Sequence, residues 1–116
     1  MTRSTPLGAI TVALFGFCSM AHSAVTADHC ELRVAGKSYL NGRCPVVTDK
    51  TGITVNVGRK GVPLTYFAYI DLNADGTATA SWNADKGSLH AWKPLGAVTH
   101  EGECWINDHA RICAGK

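Results

Sequence analysis

Cys30 with Cys44, and Cys104 with Cys113, are the residues whose chemistry is most constrained by spacing. Each pair brackets a turn signal, Ala35-Gly36 in the first case and Asn107-Asp108-His109 in the second, so pairing closes a short local loop. Thiols so placed can form disulfides or hold a metal. His29 adjoins Cys30 and His109 lies between Cys104 and Cys113, but structural zinc sites use C-x₂₋₄-C spacings that neither pair shows. The spacing therefore predicts two disulfides, Cys30–Cys44 and Cys104–Cys113, and on the chain-entropy account a loop of about fifteen residues adds about 3 kcal/mol.

Two other groups could bind ions. Asp71, Asn73 and Asp75 place oxygen-bearing side chains at alternate positions before Gly76, as a calcium loop opens. The twelfth position, where a bidentate Glu is needed, is Trp82, and both flanks have the pattern of strands, so a hairpin turn accounts for the Asn, Asp and Gly. His90, His100 and His109 stand in no known ligand spacing. Nucleophilic and acid–base chemistry find no G-x-S-x-G elbow and no pair of carboxylates set for a glycosidase. The expectation is a protein without catalytic residues, metal or cofactor.

Aromatic residues point to recognition instead. Tyr66, Phe67, Tyr69, Trp82, Trp92 and Trp105 are many large rings for a small core, and Trp and Tyr dominate binding hot spots. Trp82 is expected to pack inside and Trp105 to cover the second disulfide. The candidate binding surface is Phe67, Tyr69, His90 and Trp92, with residues 59–63 and 83–88 at its rim.

These side chains must be positioned by a small domain. Arg3 precedes a nearly unbroken apolar run over 7–21 that ends in small residues, the pattern of a secretory signal. Cleavage is expected after Ser23, or alternatively after Ala27, leaving residues 24–116 as one domain in the size range where covalent staples matter. Cys18 leaves with the signal; Phe17 before it argues against a lipoprotein site. The run contains Gly8 and Gly16 and is shorter than the ~20 residues a bilayer span requires, so no membrane insertion is expected after signal removal.

Alternation of β-branched and aromatic residues recurs between Gly, Asn, Asp and Pro punctuation. Leu32 and Val34 lead through Ala35-Gly36 to Tyr39 and Leu40, with a bulge expected near Gly42. Ile53, Val55 and Val57 share one face of a further strand. The hairpin over 64–82 turns at Asn73-Ala74-Asp75-Gly76, a type I turn with a G1 bulge, which sets Leu72 opposite Ala78, Ile70 opposite Ala80 and Ala68 opposite Trp82. Phe67, Tyr69 and Asp71 fall on the other face with Thr79, Ser81 and Asn83. Leu89-His90-Ala91-Trp92 and Ala97-Val98-Thr99-His100 continue the pattern. In the last hairpin Trp105 faces Ile112, with Asp108 and His109 at the tip. The fold class predicted is all-β: a small antiparallel sandwich or barrel-like sheet of six or seven short strands, stapled by two disulfides.

Lys and Arg number 11 against 9 Asp and Glu, without a basic stripe, so a nucleic-acid partner is not indicated. The expectation is a periplasmic or secreted binding protein, foremost an inhibitor or immunity protein directed at another protein such as a cell-wall hydrolase. Alternatives are a module for carbohydrate or peptidoglycan fragments and an accessory subunit of an envelope complex.

Overall fold

The computed structural model describes residues 24–58 and 65–116. The segment 1–23, expected to be an export signal, and residues 59–64, with the expected basic loop, lie outside the described residues. The rest forms eight strands: β1 (Val25–Val34), β2 (Lys37–Thr48), β3 (Gly52–Val55), β4 (Ala68–Leu72), β5 (Ala78–Trp82), β6 (Lys93–Glu101), β7 (Cys104–Ile106) and β8 (Ala110–Gly115). Each pairs antiparallel with its neighbour in sequence, and β8 returns to β1, closing the sheet into a barrel. The count exceeds the six or seven predicted; β3 and β7, both anticipated in the sequence, are short, at four and three residues.

Turn chemistry sets the register. Gly76 adopts φ +91° and donates its N–H to Asn73 O at 3.1 Å, while Asn73 N–H bonds Thr77 O; the left-handed conformation there is free of cost only for glycine. The predicted pairs follow, Leu72 with Ala78, Ile70 with Ala80 and Ala68 with Trp82. At the first hairpin Val34 pairs with Lys37 across Ala35 (φ +52°) and Gly36 (φ +81°), a two-residue turn of the mirror-image kind that twisted strands favour. The register shifts again between Ala27 and Cys30, where Gly42 lies opposite Cys30, as the predicted bulge requires. Asn56 takes φ +71° and ends β3 one residue after Val55, so Val57 does not extend that strand.

Ala35 carries a side chain in a conformation that disfavours one. Ala35→Gly is therefore expected to raise stability by about 0.5–1 kcal/mol, read as a higher urea midpoint at unchanged slope; a lower midpoint would contradict the turn assignment.

Strand alternation sends one face into the lumen. Leu32, Ile70 and Ile112 are fully buried, with Val55, Ala68 and Trp82 beside them. Alanines at 78 and 80 leave room on β5 for the large residues of β4 and for Trp82. At one end of the barrel Trp82 meets Tyr39 edge-on, with ring centroids 4.7 Å apart, and Tyr66 packs on both. These three rings plug that end. Such edge-to-face pairs add about 0.5–1.5 kcal/mol beyond the area they bury.

Both disulfides form as predicted, with Cα separations of 6.0 Å for Cys30–Cys44 and 4.0 Å for Cys104–Cys113. They sit on different sides of the sheet. Cys30 and Cys44 belong to the lumen core. Trp105 lies opposite the buried Ile112 and so faces inward, which turns the adjacent Cys104 and its partner Cys113 outward. Trp105 thus does not cover the second disulfide. That place is taken by the Glu31 carboxylate, 3.6 Å from Cys113 Sγ and held by Arg111 Nε at 3.1 Å and Arg33 Nε at 3.4 Å.

Candidate recognition site

Four segments meet at the plugged end of the barrel: the turn at 35–36, the stretch 65–67, the loop 83–92 and the tip 107–109. Of these, 83–92 has the most unusual balance of fixed base and exposed crest. Asn83, predicted as a surface residue, is buried, and its amide is used at every position. Its Oδ1 accepts the Phe67 N–H at 3.0 Å, and its Nδ2 donates to Thr65 O at 2.8 Å and to Ser88 O at 3.1 Å. Gly87 N–H bonds Thr65 O and Ser88 N–H bonds Asp85 O. Asn56 Nδ2 secures the neighbouring stretch through Tyr66 O at 2.8 Å and Thr65 Oγ1 at 3.0 Å. A buried amide with three partners is costly to disturb, because the part-buried Phe67 N–H and Ser88 carbonyl each lose a partner with it.

Above this base the apolar side chains point out. Leu89 is 73% and Trp92 80% exposed. The His90 imidazole lies flat on the Trp92 indole, 4.5 Å between centroids and 16° between planes, which limits the freedom of both rings and leaves one indole face open. Leu89-His90-Ala91-Trp92 is loop rather than strand, and β6 begins only at Lys93.

The predicted surface divides here. His90 and Trp92 are brought together. Phe67 is half-buried and tied to the same base through its backbone, since its carbonyl also accepts the Asn83 N–H. Tyr69 lies apart, opposite Ser81 on the outer face, with its hydroxyl 3.4 Å from Thr51 O near the other end of the barrel. Among the described residues neither Phe67 nor Tyr69 stacks on another ring. Residues 83–88 lead into the crest, with Asn83 beneath it.

The side chains considered for ion binding make the following contacts. Asp75 Oδ1 accepts the Thr77 hydroxyl at 2.6 Å and the Thr77 N–H at 3.0 Å, and Asn73 Nδ2 donates to Thr77 Oγ1. These bonds, the hydroxyl's first, hold the Asp75 carboxyl below its ordinary pKa. The three histidines go separate ways: His90 to Trp92, His100 to Trp105 at 4.2 Å and 8°, and His109 Nε2 to Leu95 O at 3.2 Å. Among the described residues no three His, Cys, Asp or Glu side chains converge on a common point. The second tip is fixed by Asn107, whose Oδ1 accepts the N–H groups of His109 and Ala110 and whose Nδ2 donates to Leu95 O and Ala97 O.

Sequence reasoning missed Asn83 and Asn107 as organisers. Both follow directly after a strand, where a buried acceptor and donor pair can end the ladder and begin a loop, and that position was the available signal. Compared with protein-family models, curated proteins and solved structures, the chain matches none.

Proposed function

We propose that this chain is an exported binding protein that blocks another protein, with a cell-wall hydrolase as the class of target, and that loop 83–92 is its contact. The observation that carries this reading is the exposed Leu89 and the His90–Trp92 stack standing on a base locked by Asn83. A loop ordered before contact loses little entropy on docking, and a large rigid ring supplies contact area at small conformational cost. Two disulfides favour an oxidising compartment. The outward faces carry Arg33, Asp71, Thr79 and Arg111 over an apolar lumen, the reverse of the arrangement a membrane barrel needs, which supports work in water.

The test is capture of a partner from a periplasmic extract followed by lysozyme and amidase inhibition assays. Trp92→Ala is expected to weaken inhibition at least tenfold, as loss of a central aromatic anchor does, with an unchanged melting temperature. Absence of both partner and inhibition removes the reading. The open indole face of Trp92 favours one competitor, a module that stacks on sugar rings; peptidoglycan fragments bound by the wild type but not by Trp92→Ala, with no protein captured, would select it.

A further inference from the structure

Where β1 meets β8, beside the turn at 35–36 and the tip at 107–109, the outer face of the barrel carries two arginines side by side. Arg33 and Arg111 are direct register partners, and both side chains are about half exposed. Like charges set opposite one another across a strand pair destabilise it. One carboxylate offsets that repulsion: Glu31, two residues before Arg33 on β1 and mostly buried, accepts from Arg111 Nε at 3.1 Å and from Arg33 Nε at 3.4 Å.

Both of these bonds are made by Nε. Among the described residues no acceptor is paired with the terminal Nη atoms of either arginine. Each guanidinium, fixed at its inner nitrogen, therefore keeps a free Nη edge in the planar geometry that matches a carboxylate. Ser38, exposed and the register partner of Arg33 on its other side, extends the row with a hydroxyl. Gly36, Asn107 and His109 line a shallow depression next to the two arginines, open to water, so a group bound there needs no room inside the packed core.

The local charge selects the ligand. Two guanidiniums against the Glu31 carboxylate leave one positive charge in excess, which a single monoanion balances. Asp108 is the other acid beside the depression and opposes further negative charge, so a carboxylate suits the site where a dianionic phosphate is repelled.

We propose that Arg33 and Arg111 form a binding site for one carboxylate carried by a peptide or protein ligand, with Glu31 as the positioning residue. The site uses no residue of loop 83–92 and its test uses no hydrolase, so it stands or falls apart from the function proposed for that loop.

NMR titration of the full disulfide-bonded chain at low salt with acetyl-Gly-Glu-Gly-amide, followed at the Nε–H signals of the two arginines, tests it. Saturable shifts of both signals are expected, with none from acetyl-Gly-Gln-Gly-amide. Arg33→Gln and Arg111→Gln, each read at the remaining arginine, are expected to weaken binding at least about threefold. Neither should unfold the barrel, since each removes one of two facing like charges. Arg111→Lys is expected to weaken binding as well, because a point charge replaces the planar fork, and Asp108→Asn to tighten it. No saturable shift, equal binding of the Gln peptide, tighter binding of inorganic phosphate than of the Glu peptide, or peptide binding unaltered by Arg111→Gln would each overturn the proposal.

Discussion

Replacing Cys30 and Cys44 together by alanine is expected to lower the stability of the barrel by about 3 kcal/mol or slightly more. The bridge spans a sequence separation of 14, and cutting it returns that loop's freedom to the unfolded chain. A second contribution comes from packing. Cys30 is fully buried and Cys44 nearly so, within the same cluster as Leu32 and Ile112, so losing both sulfurs opens a void that close-packed neighbours fill only in part. The Cys104–Cys113 bridge, separation 9, closes a loop of similar entropic weight but lies on the outer side under Glu31. Its removal is therefore expected to be the milder of the two. Urea unfolding of the two double variants decides the point: equal losses, or a loss below about 1 kcal/mol for the inner pair, would show that the lumen does not depend on its sulfurs.

Asn83→Ala is expected to cost about 1–2 kcal/mol, because it removes a buried side chain and takes a partner from the part-buried Phe67 N–H and Ser88 carbonyl, while the Thr65 carbonyl keeps the Gly87 N–H. Its effect on recognition should be as large as its effect on folding. With the base unlocked, Leu89, His90 and Trp92 keep their chemistry but must be ordered at the moment of contact, so under the proposed function inhibition weakens although no contacting side chain has changed. Amide hydrogen exchange provides the distinguishing readout. Faster exchange confined to 65–67 and 83–92, with β1, β2 and β8 still protected, is the expected pattern; uniform loss of protection, or inhibition as strong as the wild type's, would contradict the role given to this amide.

How much of this could be read in advance depended on the range of the interactions involved. Local devices were legible. Asn73-Ala74-Asp75-Gly76 fixed a turn, the turn fixed a register, and the register placed Ile70 and Leu72 in the core and Tyr69 outside. The cystine pairings followed from the turns they enclose. Closure of β1 on β8 had no local signal, since the pairs Leu32 with Ile112 and Arg33 with Arg111 join the two extremes of the domain; a sandwich and a barrel share the same strand pattern until that pairing is known. Trp105 was assigned to the wrong side because its nearness in sequence to Cys104 was weighed above strand alternation, which sends adjacent residues to opposite faces. Asn83 was taken for surface because polar residues usually are, and only a count of the backbone groups around it reveals why it is buried. Of the proposed binding residues, His90 and Trp92 proved neighbours because they share a loop, whereas Tyr69 was grouped with them by type alone.

The seam between β1 and β8 also governs when the molecule can come into being. Glu31 reaches Arg111 across 80 positions of sequence, so the first strand has no permanent neighbour on one side until the last has been made. Pairing over such a distance slows folding. A chain emerging from the ribosome therefore cannot close the barrel until β8, its final strand, has been made.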